Sequence, residues 1–136
     1  MNITREQLLL YAVTDRSWLK GETLYEQVEK ALKGGVTLVQ LREKELSEPE
    51  FEAEGRSLLE LCHRYRVPLI INDNVELAER VGADGVHVGQ SDMELTRARE
   101  ILGTDKIIGV TAKTIEQAQA AEKAGADYLG SGAVFG

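Results

Sequence analysis

Short apolar runs rich in Val, Ile and Leu recur along this chain, separated by longer polar segments with helical spacing. The runs are Leu8 to Val13, Val36 to Leu41, Leu69 to Ile71, Gly85 to Val88, Ile107 to Val110 and Tyr128 to Gly130. Each reads as a short strand buried on both faces. After the first run, Leu24, Val28, Ala31 and Leu32 fall at i, i+4, i+7 and i+8, and Phe51, Leu58, Leu59, Cys62 and Tyr65 trace a similar stripe after the second. Each stripe predicts an amphipathic helix able to cover one face of a sheet.

Helix start and stop signals agree with that division. Thr23 with Glu26, Ser47 with Glu50 and Thr114 with Gln117 have capping-box spacing, and Pro49 falls in a first turn. The stretches Lys33-Gly34-Gly35-Val36, Val81-Gly82-Ala83-Asp84-Gly85 and Ala124-Gly125-Ala126-Asp127-Tyr128 each place glycine where a helix would end before a strand, a weak internal repeat. Buried strands separated by helices predict a parallel sheet, either doubly wound or closed into a (β/α)8 barrel.

The polar positions favour the barrel. Thr14-Asp15-Arg16, Gln40 to Lys44, Asn72-Asp73-Asn74, Gln90-Ser91-Asp92 and Thr111 follow nearly every apolar run. An open sheet gathers ligand groups at one switch point, whereas a barrel collects them from most strand ends onto one mouth. We therefore expect an α/β fold of TIM (β/α)8-barrel topology, residues 1–136 forming a single domain that supplies the N-terminal part of such a barrel. Only about six of its strands are recognisable, and the sequence stops just after the sixth run, so it reads as cut short. Unclosed, the first and sixth strands would be open edges.

Composition narrows the function. The chain has 136 residues, of which 43% are hydrophobic and 29% charged, enough to bury a core. The net charge of -7 and the lack of a basic block argue against nucleic acid. Cys62 is the single cysteine, which excludes an internal disulfide and a cysteine metal cage. No apolar stretch approaches the roughly 20 residues of a membrane span, and the N-terminus lacks a signal-peptide layout. A cytoplasmic protein is expected.

The candidate chemistry begins at Val36 to Lys44, where the apolar run breaks into Gln40, Arg42 and Lys44 at spacing two. Alternate residues of a strand share a face, so an amide and two cations would converge at a strand end. Arginine offers a planar fork and lysine a point charge, a pairing suited to a diphosphate. The plainer alternative is a solvated strand end in which Glu43 or Glu45 neutralises both cations. Asp73, after Asn72, and Asp92 would bring two carboxylates to the same rim, an oxygen set suited to Mg2+. Each is equally a reasonable helix-start residue, with Glu76 after Asp73 and Glu94 after Ser91. The hydroxyl of Thr111 could donate to a phosphate, or belong to a turn. His87 reads as a packed core residue and His63 as a solvated one. Trp18 and Tyr25 line a loop or pack, and Gly130-Ser131-Gly132 is either a ligand-approaching loop or a turn.

Taken in order, Tyr11-Ala12-Val13-Thr14-Asp15, Gln40-Leu41-Arg42-Glu43-Lys44, Ile71-Asn72-Asp73, Gly85 to Asp92, Ile108-Gly109-Val110 and Gly125 to Gly130 closely resemble the thiamine-phosphate synthase family. The resemblance implies a (β/α)8 transferase that joins hydroxymethylpyrimidine diphosphate to a thiazole phosphate, giving thiamine phosphate and pyrophosphate. It implies dissociative, Mg2+-dependent chemistry in which Arg42, Lys44 and Asn72 grip the diphosphate, Asp73 and Asp92 hold Mg2+, Gln40 orients the pyrimidine and Thr111 faces the phosphates. The family usually carries Ser at the place of Thr111 and Val at that of Ser131, and continues past Gly-Ala-Val-Phe into a loop and two further strands that bind the thiazole phosphate. A chain ending at Gly136 is therefore expected to hold a diphosphate site with little or no synthase activity. The alternatives are a thiazole tautomerase, which needs no diphosphate clamp, and a non-catalytic anion-binding piece completed by a second copy.

Overall fold

The computed structural model describes residues 2–19, 21–89 and 92–131. Six strands alternate with five helices: β1 (Tyr11–Val13), α1 (Leu24–Lys33), β2 (Leu38–Leu41), α2 (Glu48–Arg64), β3 (Leu69–Asn72), α3 (Val75–Val81), β4 (Gly85–Val88), α4 (Asp92–Leu102), β5 (Ile107–Thr111), α5 (Ile115–Lys123) and β6 (Tyr128–Gly130). All neighbours pair in parallel and in sequence order, β1 to β6. A doubly wound sheet reverses its strand order at a switch point. This one does not, which makes it the curled sheet of a half-barrel.

The three capping boxes are present as read: Thr23, Ser47 and Thr114 each accept the N–H three residues on, and Glu26, Glu50 and Gln117 reach back. The first strand is shorter than the apolar run suggests. Residues 5–10 form turns instead, with Thr37 accepting from Leu10 N–H at 2.9 Å and donating to the Gln7 carbonyl at 2.8 Å. Hydrophobicity alone could not show that a threonine hydroxyl holds this segment outside the ladder.

Alternation along the strands sorts the core into two layers. Val39, Leu41, Leu69, Ile71, Val86, Val88, Ile108 and Val110 pack outward against the helices. Leu38, Ile70, Ile107 and Tyr128 pack inward with Ile3 and Tyr11, forming an apolar plug at the strands' N-terminal end. Asn2 fixes that plug by donating its side-chain N–H groups to the carbonyls of Thr104 and Lys106. The next inward positions, one pleat further along, include Gln40 on β2, Asn72 on β3 and His87 on β4. Among the described residues no helix is long and apolar enough to cross a membrane.

Candidate active site

Above the apolar plug, each strand contributes one side chain to a continuous hydrogen-bonded chain. Asn72 Nδ2 donates to Gln40 Oε1 at 2.8 Å, Gln40 Nε2 donates to the Tyr11 hydroxyl at 2.9 Å, and the Tyr11 and Tyr128 hydroxyls are 2.5 Å apart. Tyr128 reaches His87 Nδ1 at 2.9 Å, and His87 Nε2 reaches Thr111 Oγ1 at 2.8 Å. The chain thus crosses from β3 through β2, β1, β6 and β4 to β5. Gln40 and Tyr128 are buried, Tyr11 and His87 half-buried, and the ends, Asn72 and Thr111, are the last residues of their strands and half-exposed at the mouth. Buried polar groups need partners, and here they satisfy one another.

Gly109 makes this arrangement possible. In the strand register it lies between His87 on β4 and Tyr128 on β6, and an added Cβ would fall 2.0 Å from Tyr128 Cζ. Without that Cβ, the Tyr128 ring crosses β5 to stand edge-on to Tyr11, with centroids 5.6 Å apart, and beside His87 at 5.5 Å. Burial pushes both phenols above the ordinary tyrosine value and holds His87 below the ordinary histidine value, so all three are neutral.

The cations lie beyond the strand, since β2 ends at Leu41. Thr14 Oγ1 accepts the Arg42 N–H at 3.0 Å and Thr14 N–H donates to the Gln40 carbonyl at 3.0 Å, carrying the strand pairing one step past its end. Glu43, its side chain only 3% exposed, binds Arg16 Nε through both carboxylate oxygens, at 2.7 and 2.9 Å. Of the plainer alternative, the solvent exposure is seen and the pairing is not: Glu43 is taken by Arg16, and Arg42 and Lys44 are exposed with no side-chain partner among the described residues. They line a cleft of about 350 Å³ with Thr14, Asp15, Arg16, Glu43 and Glu45, and Lys44 also borders a second of about 370 Å³ with Glu43, Glu48, Asn72 and Asp73.

Asp73 is not a helix cap. Asn74 takes that place, its side chain accepting the Leu77 N–H at 3.0 Å, while Asp73 adopts a left-handed φ of +68° with its N–H on the His87 carbonyl at 2.8 Å. That conformation costs a non-glycine residue roughly 1–2 kcal/mol, and it leaves an exposed carboxylate without a partner among the described residues. Strain of this kind collects at functional sites. Asp92 opens α4, directly after β4, and its side chain lies outside the described residues. Gln90, Ser91 and Gly132 lie outside them altogether, as does the Trp18 side chain. Glu94 takes the Gly89 N–H at 2.9 Å. No three carboxylate, histidine or cysteine side chains gather into a metal cluster among the described residues.

The structure brings Gln40, Asn72 and Thr111 onto one hydrogen-bonded chain and sets Arg42, Lys44 and Asp73 along the adjoining rim. Sequence reasoning missed Tyr11, His87 and Tyr128 as members. The available signal was alternation: Val86 and Val88 face the helices, so His87 between them must face the lumen. His63, read as solvated, is exposed but hydrogen-bonded to Asp84 at 2.8 Å, and Tyr25 packs on the outer core and accepts from Arg64.

Comparisons with known proteins agree with this fold. The family model described as thiamine monophosphate synthase matches residues 10–136. A thiamine-phosphate synthase of Clostridium acetobutylicum is 56% identical over 126 residues, covering 93% of this chain and 60% of that relative. The solved thiamine phosphate pyrophosphorylase of Pyrococcus furiosus is 40% identical, with a TM-score of 0.87 over 96% of this chain and 63% of that one. An aldolase, QR15, at 13% identity and a TM-score of 0.72 over 89% of this chain and 66% of its own, shows the barrel fold alone. The chain spans about three fifths of the length of the curated relatives it matches.

Proposed function

We infer the function from the premise that this chain belongs to the thiamine monophosphate synthase family: it carries the diphosphate-gripping part of a thiamine-phosphate synthase. In this reading hydroxymethylpyrimidine diphosphate loses pyrophosphate as the thiazole phosphate captures the pyrimidine, giving thiamine phosphate. The observation that carries it is the pair of unpartnered cations, Arg42 and Lys44, beside the unpartnered Asp73 carboxylate, with Glu43 diverted to Arg16. Exposed groups of both signs held apart from each other suit a polyanion together with a cation.

Arg42 would take two phosphate oxygens through its fork, Lys44 a third as a point charge, and Asn72 a further one through its free N–H. Gln40, at the floor of the mouth, would orient the pyrimidine, and Thr111 would donate to the phosphates. Asp73 and Asp92 would hold Mg2+. Their chemistry fits, because a hard cation takes one or two carboxylates plus phosphate oxygens and water. Bound there, Mg2+ would neutralise charge on the leaving group. All of these groups act to stabilise negative charge as it develops, which is where such transfers gain most of their acceleration.

Calorimetric titration of pyrophosphate with and without Mg2+ tests the reading. Saturable, Mg2+-dependent binding that is lost in Arg42→Ala and in Asp92→Ala is expected, followed by turnover when both substrates are supplied to the whole enzyme. Absence of any such binding would leave a non-catalytic barrel piece and overturn the proposal.

A further inference from the structure

The interior hydrogen-bonded chain has a direction. Gln40 accepts at Oε1 and donates at Nε2, so the Tyr11 hydroxyl already receives a proton donor. A phenol owns one proton, and Tyr11 must give it to Tyr128, 2.5 Å away. Tyr128, having accepted, gives its own proton to His87 Nδ1 at 2.9 Å. A neutral imidazole that accepts at Nδ1 carries its hydrogen on Nε2, and that hydrogen goes to Thr111 Oγ1 at 2.8 Å. The remaining proton in the series is that of the Thr111 hydroxyl. At the other end, Asn72 uses one of its two amide hydrogens on Gln40 and keeps the second.

We propose that this one-way chain fixes His87 as the Nε2–H tautomer and so presents Thr111 to the mouth as a hydrogen-bond donor, making Tyr11, Tyr128 and His87 positioning residues for an anion bound there. Both ends of the chain then offer donors to the same opening. Were the order reversed, Thr111 would spend its proton on His87 and turn lone pairs toward the ligand. The three middle links hold the order because none can turn alone: reversing one leaves two donors facing at one junction and two acceptors at another, an expensive fault where water is scarce. The anion is the diphosphate of the reading above, on which this functional half of the proposal rests.

Nitrogen-15 NMR of the protein with labelled histidine rings reads the tautomer directly, and His63 is identified by the loss of its signals in His63→Gln. An unprotonated Nδ1 and a protonated Nε2 are expected for His87; a proton on Nδ1, or on both nitrogens, overturns the proposal. Tyr128→Phe removes the donor to Nδ1, so both tautomers should appear, and a signal unchanged from that of the unmodified protein sinks the lock. In pyrophosphate titrations Thr111→Val should weaken binding about tenfold, as expected for a lost hydrogen bond to a charged group, while Thr111→Ser should restore it. Equal affinity in Thr111→Val and the unmodified protein overturns the donor role. If the unmodified protein binds no pyrophosphate, the proposed function fails, and the tautomer lock then stands or falls on the spectrum alone.

Discussion

Replacing Gly109 by alanine adds one methyl group and should dismantle the centre of the barrel. The backbone there has no positive φ, so conformational freedom is not the reason for glycine. Space is the reason, since the new Cβ would lie 2.0 Å from Tyr128 Cζ and 2.4 Å from its hydroxyl oxygen. Restoring ordinary carbon contact requires the ring to retreat by roughly 1.5 Å. That movement breaks the hydrogen bonds from Tyr128 to Tyr11 and His87, at 2.5 and 2.9 Å. Overpacking costs about 1–3 kcal/mol and two buried hydrogen bonds about 1 kcal/mol each. Against this, alanine recovers about 0.5–1 kcal/mol of backbone entropy. A net loss of about 2–4 kcal/mol follows, a large part of a typical domain's stability, and should lower the urea midpoint by about 1–2 M. The decisive measurement is a double-mutant cycle. In a Tyr128→Ala background the clash has no partner, so Gly109→Ala should be neutral or slightly stabilising, giving a coupling near the full loss. Equal cost in both backgrounds would refute the steric argument.

Asp73→Gly should raise thermal stability by about 1 kcal/mol through relief of the left-handed backbone, while abolishing Mg2+-dependent pyrophosphate binding; a lower melting temperature would contradict the strain. Burial alone would push Asp127 up, but N–H groups of Asn2 and Ile108 and the Arg99 guanidinium donate to it and hold it below the usual aspartate value. Its stabilisation is therefore complete above the unfolded value of about 3.9 and lost as pH falls through the folded one. Asp127→Asn should be less stable at neutral pH and show a shallower acid limb in denaturation curves. Burial, with a smaller contribution from Asp84, pushes the Cys62 thiol up to about 12, so thiol reagents should modify it at the rate of global unfolding and instantly in urea. Rapid labelling of the native protein would contradict that burial.

Much of the fold was legible because its causes are local. Thr23, Ser47 and Thr114 start helices through contacts three residues away, and the apolar runs at 69–71, 85–88 and 107–110 became strands that differ by at most one residue. The site was legible in part. Gln40, Asn72 and Thr111 lie at strand ends, where polarity after an apolar run marks them, but Arg42 and Lys44 lie past the end of β2, where Thr14, 28 residues earlier, holds the Arg42 backbone. Asp73 looked like a cap as much as a ligand. The left-handed backbone and the capping role of Asn74 remove the cap reading.

The order of residues by itself settled the alternation of strands and helices, the caps and the family to which the chain is akin, since periodicity and short-range hydrogen bonds are written in neighbouring positions. Tertiary structure alone decided that Glu43 answers to Arg16, that Tyr11 meets Tyr128 across 117 residues of chain, and that six side chains join into one directed chain. Those outcomes depend on the curl of the sheet. Curvature sums small twists over every strand, and no local stretch of sequence carries that sum.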